Sequence, residues 1–137
     1  MFKSTIDKYA AFSDALLVPG CIAYNLSPRT SKRSIFTFSI VAVDTNTNEV
    51  GSAGGSCIAN SIIISDIHPG VGAIHTQSYW NSENQNYASQ LMNDGFSPSE
   101  IIDLLIENDI QNNPGIRQYG IVDMFQENNY GFLLENE

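Results

Sequence analysis

Apolar residues crowd into one run early in the chain and then recur at two different spacings. In TFSIVAVDTNTNEVGSAGGS, Thr37 to Ser56, the side chains Phe38, Ile40, Val41, Ala42 and Val43 are nearly continuous, which is how a strand covered on both faces reads. Asp44 to Asn48 supplies turn chemistry, because Asn and Asp tolerate positive φ and bond their own backbone. A second strand runs from Glu49 into the small residues Gly51, Ala53, Gly54, Gly55 and Ser56, so the pattern predicts a buried hairpin with a bare second strand. The β-branched run Ile62 to Ile64 predicts a brief strand, and His68-Pro69-Gly70 a turn spanning Asp66 to Gly70. Val71 to Ser78 predicts a third strand in which Gly72 lets a neighbour approach closely.

The period then changes. Ser82 with Gln85 three residues on has the form of a capping box, Tyr87, Ala88, Leu91 and Met92 follow at helical spacing, and Gly95 is the expected stop. Ser97-Pro-Ser-Glu100 is a second box with Pro at the first helical position, and Ile101, Ile102, Leu105 and Ile106 form its buried stripe. Asn112 to Gly115 ends the helical region, and Gln118 to Asp123 predicts another strand.

Charge divides the chain at the same place as the pattern. The 137 residues carry a formal net charge of −9, and five of the six basic residues, Lys3, Lys8, Arg29, Lys32 and Arg33, precede Thr37. From Thr37 onward thirteen carboxylates face the single Arg117, a net of −12. A body of that sign repels phosphate backbones, so no nucleic-acid partner is expected. Asp7, Lys8 and Asp14 interrupt the start where a signal peptide would be uncharged, and Ala15 to Val18 is too short to span a bilayer. The sequence VPGC ending at Cys21 has the outline of a lipidation box, but Pro19 and the acidic approach argue against it. The compartment stays open: cytoplasmic as the chain stands, exported if translation starts elsewhere. Cys21 and Cys57 are too few for a disulfide framework.

Four segments, TFSIVAVD, GSAGGSCI, GVGAIHTQSYWN and RQYGIVD, resemble in order and spacing the motifs of the domain of unknown function 1028 family, which has the N-terminal-nucleophile (Ntn) hydrolase-like fold. The resemblance implies an α+β protein, an αββα sandwich with helices packed on antiparallel sheets, represented here by its first half only. It divides the chain into a leader and linker at 1–36, unlike the family, and the N-terminal part of the domain at 37–137, with the C-terminal part absent. A sheet lacking those elements leaves apolar surface uncovered, so a homo-oligomer is expected.

The resemblance also implies chemistry. In Ntn hydrolases the first residue attacks a carbonyl with its side chain while its own α-amine, titrating near pH 8, takes the proton. Thr37 holds that position, but its nitrogen is an amide joined to Phe36, so this route requires cleavage before Thr37. The implied site residues are Thr37, Ser56 beside the amine, and His75 with Gln77 where the superfamily stabilises an oxyanion. Each also has a plain reading: a β-branched strand residue for Thr37, a turn cap for Ser56, a satisfied strand residue for His75. Cys57 reads as a small hydrophobe rather than the nucleophile of a Cys57–His75 pair. His68, His75 and Asp66 match no metal-binding spacing, and no cofactor is expected. Tyr79 and Trp80 pack over the sheet in the plain reading, and Arg117 pairs structurally with Asp123 or another nearby acid. The expected function is hydrolysis of a small-molecule or peptide amide. The alternatives are an inactive binding relative and a fragment without independent function.

Overall fold

The structure is a computed structural model that describes residues 8–17, 36–56, 58–125 and 130–133. It is an α+β fold with two antiparallel sheets and two helices. The first sheet contains β1 (Lys8–Leu17), β2 (Phe36–Asp44) and β3 (Glu49–Gly55) in that order. The second contains β4 (Ser65–His68), β5 (Gly72–Ser78), β6 (Arg117–Asp123) and β7 (Tyr130–Leu133), also in sequence order. Between β5 and β6 lie α1 (Ser82–Asn93) and α2 (Pro98–Glu107).

Strand parity explains the layering. On one face of the second sheet, Ile74 and Ile121 stand opposite each other and join Tyr119 with Ala88, Leu91, Met92, Ile101, Ile102 and Leu105 of the helices in the larger core. On the other face, Ala73 and Val122 are paired and meet Val41 and Val43 of β2 in a smaller core. Both helices therefore cover one side of the second sheet and the first sheet covers the other. Because β5 and β6 are covered on both sides, their polar residues are buried along with their apolar ones.

The predicted hairpin forms with the register Asp44↔Glu49 to Phe38↔Gly55, turning through Asn48 at φ 61° with the Asp44 carboxylate accepting from the Asn46 N–H at 3.1 Å. It is not buried on both faces. Ser39, Val41 and Val43 point to the second sheet, whereas Phe38 is 59% exposed and β3 is open along nearly its whole length, because both helices lie beyond the other sheet. Part of the leader joins the fold: Lys8–Leu17 pairs with β2, from Lys8↔Asp44 to Leu17↔Phe36. The basic cluster at Arg29 to Arg33 lies outside the described residues, as do Cys21 and Cys57.

Two local expectations shift. Ser61–Ile64 is a 3-10 turn rather than a strand, with only Ile64 buried, and the strand follows it at Ser65–His68, inside the predicted turn. The turn itself is tighter: the Val71 N–H donates to the His68 carbonyl at 3.0 Å, with Gly70 at φ 75°. The cap of α1 is Asn81, not Ser82; its side-chain oxygen accepts from the N–H groups of Glu83 at 2.8 Å and Asn84 at 3.1 Å. The helix ends as expected, with Gly95 at φ 86°. The box at α2 is complete: the Glu100 N–H donates to the Ser97 hydroxyl at 3.4 Å and the Ser97 N–H to the Glu100 carboxylate at 2.8 Å. The Ser97 hydroxyl, then its backbone N–H, hold that carboxylate below its usual range. Ile106 is exposed and does not belong to the buried stripe.

Gly72 does admit a close neighbour: a Cβ there would sit 2.2 Å from the Val122 carbonyl oxygen, whereas one at Gly51 would meet nothing within 4 Å. A backbone oxygen in a paired strand cannot swing aside as a flexible side chain can. Gly72→Ala should therefore cost about 1–3 kcal/mol in urea unfolding, and Gly51→Ala less than about 0.5 kcal/mol. Equal effects would contradict the packing of β5 on β6.

Candidate active site

The face of β5 and β6 that meets the first sheet changes character along its length. It begins apolar at Ala73 and Val122, then turns polar at His75, which lies opposite Gly120, and at Gln77, which lies opposite Gln118. Across the seam, β2 supplies Ser39, a buried polar residue, beside Val41 and Val43. The Gln77 side-chain amide donates to the Ser39 hydroxyl, tying the sheets together at this polar end.

Of the four expected site residues, Gln77 makes this bond, and the backbones of Thr37 and Ser56 lie at the same end of β2 and β3. Thr37 precedes Ser39 by two positions in β2, where its backbone pairs with Leu16 of β1. Ser56 follows Gly55, the last paired residue of β3, at the same end at which Thr37 precedes Phe38. Gln77 contacts Ser39 directly. His75 is one strand repeat further in and faces a different neighbour: a pocket of about 340 Å³ lined by Ser52 and Gly54 of β3, Ser61 and Ile64 of the 3-10 turn, and Ser65 of β4. Ser39, Ser52, Ser61 and Ser65 are the polar groups that sequence reasoning missed. A serine interrupting the inward parity of β2 signals Ser39. The Ser52–Ser65 contact, with hydroxyls 2.7 Å apart, joins residues thirteen positions apart and leaves no local signal.

His75 is 2% exposed, and neither ring nitrogen has a hydrogen-bonding partner among the described residues. Burial penalises the charged ring and lowers its pKa from 6.5 to about 4, so the imidazole is neutral at physiological pH. A neutral imidazole has one N–H donor and one acceptor, both available here.

Other clusters are accounted for structurally. Arg117, 1% exposed, pairs with Asp109 rather than Asp123: its Nε donates to the carboxylate at 2.9 Å, one terminal nitrogen to Gln111 at 2.6 Å and the other to the Tyr79 carbonyl. Burial would raise the Asp109 pKa, but Arg117, the Asn113 and Gln111 N–H groups and the Asn84 amide outweigh it and lower it to about 2. The only guanidinium of the body is thus committed to holding the Asp109–Asn113 loop. Trp80 is tied to α1, its indole N–H donating to Gln85.

At the opposite end of β4, His68 lies 3.3 Å from Asp66 and 3.2 Å from the Asn93 side-chain oxygen, and the Ser89 hydroxyl donates to Asp66. The carboxylate stands between hydroxyl and imidazole, so the ring cannot take the serine proton and this is not a nucleophilic triad. Among the described residues no three His, Cys, Asp or Glu side chains converge as metal ligands. No helix of the described residues is long and apolar enough to cross a membrane.

The lowered pKa of His75 carries a stability signature with a definite sign. Above pH 6.5 the ring is neutral in both folded and unfolded chains and contributes no slope. Between pH 6.5 and about 4 the unfolded chain takes up a proton that the folded chain refuses, so stability is lost as the pH is lowered through that window. Urea unfolding at pH 7 and pH 4.5 should show this loss as about 2–3 kcal/mol. His75→Phe should lack this part of the loss and retain the carboxylate-driven remainder at lower pH. The same pH dependence in both proteins would contradict a buried neutral ring.

Residues 37–132 match the family of unknown function DUF1028. No curated protein and no solved structure matches the chain. The matched stretch begins at Thr37, takes in β2 to β6 with the two helices between β5 and β6, and covers more than half of the sequence. On that extent of match, the chain belongs to the DUF1028 family.

Proposed function

We propose that this protein is an Ntn-type hydrolase of an amide or peptide bond, activated by cleavage between Phe36 and Thr37. The observation that supports the reading is the grouping at one end of the seam: Thr37 is the second residue of β2, two before Ser39, Ser39 is bonded by Gln77, and Ser56 directly follows the neighbouring strand.

Once cleaved, the Thr37 α-amine accepts the hydroxyl proton as the oxygen attacks the substrate carbonyl carbon. The resulting oxyanion takes hydrogen bonds from donors at the polar end of the seam, among them the Gln77 amide, each worth about 3 kcal/mol in such a role. Collapse expels the amine, which leaves with the proton held by the ammonium, and the acyl group remains as an ester on Thr37. The freed amine then deprotonates a water that attacks the ester, releasing the acid and restoring the hydroxyl. Ser56 lies beside the amine in this reading and hydrogen-bonds it. His75 contributes a neutral wall rather than a charge.

The same reading takes the sheet-sheet-helix stack as three layers of an αββα sandwich of which residues 37–137 are the N-terminal part. The open outer face of β2 and β3 is the side on which that fold carries its other helical layer. One observation favours a second reading, a binding protein without catalysis: β2 runs unbroken through the Phe36–Thr37 bond, with Phe36 paired to Leu17. In that chain the nitrogen is acylated and has no basicity.

Intact mass and N-terminal sequencing of the protein from its native source test the reading. A chain beginning at Thr37 is expected, with amidase activity that falls about a thousandfold or more in Thr37→Ala. A chain that retains Phe36 and shows no such activity supports the binding reading instead.

A further inference from the structure

The pocket beside His75 has a composition unusual for a protein so acidic. Its walls are three serines, small residues of β3 and isoleucines of the 3-10 turn, and its floor is His75; none of its lining residues is Lys, Arg, Asp or Glu. The β3 wall is exposed, so solvent reaches it. At about 340 Å³ it is far larger than the roughly 30 Å³ share of one liquid water and falls in the range of small-ligand pockets.

Two features point to an occupant. Both nitrogens of His75 lack partners although the residue is 2% exposed, and a buried polar group without partners costs about 1–3 kcal/mol. The Ser52 and Ser65 hydroxyls in its lining are hydrogen-bonded to each other at 2.7 Å, which leaves one hydroxyl proton and spare lone pairs for a ligand. A carboxylate entering here would lose its hydration without meeting a cation, and an ammonium would lose its own without meeting an anion. An amide, which carries donor and acceptor and no charge, finds complements to both. We infer that this pocket binds an uncharged carboxamide group, selecting it against the isosteric carboxylate by hydrogen bonds from His75, Ser52 and Ser65. That ligand is the substrate if the hydrolase reading holds, but the binding site needs no catalytic step.

The test uses full-length Thr37→Ala protein, which cannot turn over by the proposed route, and two probes that differ only at the side-chain terminus: the N-acetyl methylamides of glutamine and of glutamate. At pH 7 the glutamine probe should shift the backbone amide resonances of β3 and β5 saturably at millimolar concentration, and the glutamate probe should bind about tenfold or more weakly. His75→Phe should abolish binding. Ser52→Val, on an exposed strand where folding is not at stake, should weaken it about tenfold with unfolding midpoint unchanged. Equal binding of the two probes, no saturable shift with either, or undiminished binding in both variants overturns the assignment. Selective binding without detectable amidase activity in the Thr37 protein keeps the pocket and rejects the hydrolase reading. Amidase activity without selective binding does the reverse.

Discussion

Everything at the candidate site depends on a strand that is buried on both faces yet carries polar side chains on one of them. β5 presents Ile74 to the helices, but toward the first sheet it presents Ala73, His75 and Gln77 in succession. A buried polar group must find a partner or stay uncharged. Gln77 finds Ser39 across the seam, and His75 stays neutral. The two sheets are thus joined by an apolar contact at one end, where Val41 and Val43 meet Ala73 and Val122, and by a polar contact at the other. The polar end is where the first matched residue of the family, Thr37, enters.

Charge is kept away from this seam. The one cation of the acidic body is locked to Asp109 under the loop before β6, where the carboxylate accepts from Asn84, Gln111 and Asn113 as well. A buried pair satisfied this fully is costly to break from either side, since it leaves an uncompensated charge. The histidine that does lie near charge, His68, is at the other end of β4, beside Asp66. What remains at the seam and in the pocket beside it is hydroxyl, amide and neutral imidazole, a set suited to uncharged polar ligands and poorly suited to ions.

Much of this was readable from residue order, because the signals are local. The β2–β3 hairpin, β5, both helices and β6 follow from apolar period and turn chemistry, and the α2 cap was visible as Ser97 and Glu100 at the right spacing. Where local signals competed, the neighbour in space decided. Ser65–His68 has the polar content of a turn and becomes a strand because β5 offers it a register from Ser65↔His75 to His68↔Gly72. Asn81 takes the α1 cap from Ser82 by one residue, both being good caps. The apolar run of β2 suggested two covered faces, but periodicity records hydrophobicity and not which layer is present, and the outer face with Phe38 is open. Of the site, Thr37, Ser56, His75 and Gln77 came from family resemblance. Their grouping needed the sheet-on-sheet packing, and the Ser52–Ser65 contact had no trace in sequence spacing.

The most direct measurement of this account is a double-mutant cycle across the seam, combining Ser39→Ala with Gln77→Leu in denaturant unfolding. If the Gln77–Ser39 bond joins the two sheets, the single changes will be non-additive, with a coupling of about 1 kcal/mol. Effects that simply add, to within about 0.3 kcal/mol, would mean that the two side chains do not meet and that the polar end of the seam is not assembled as described.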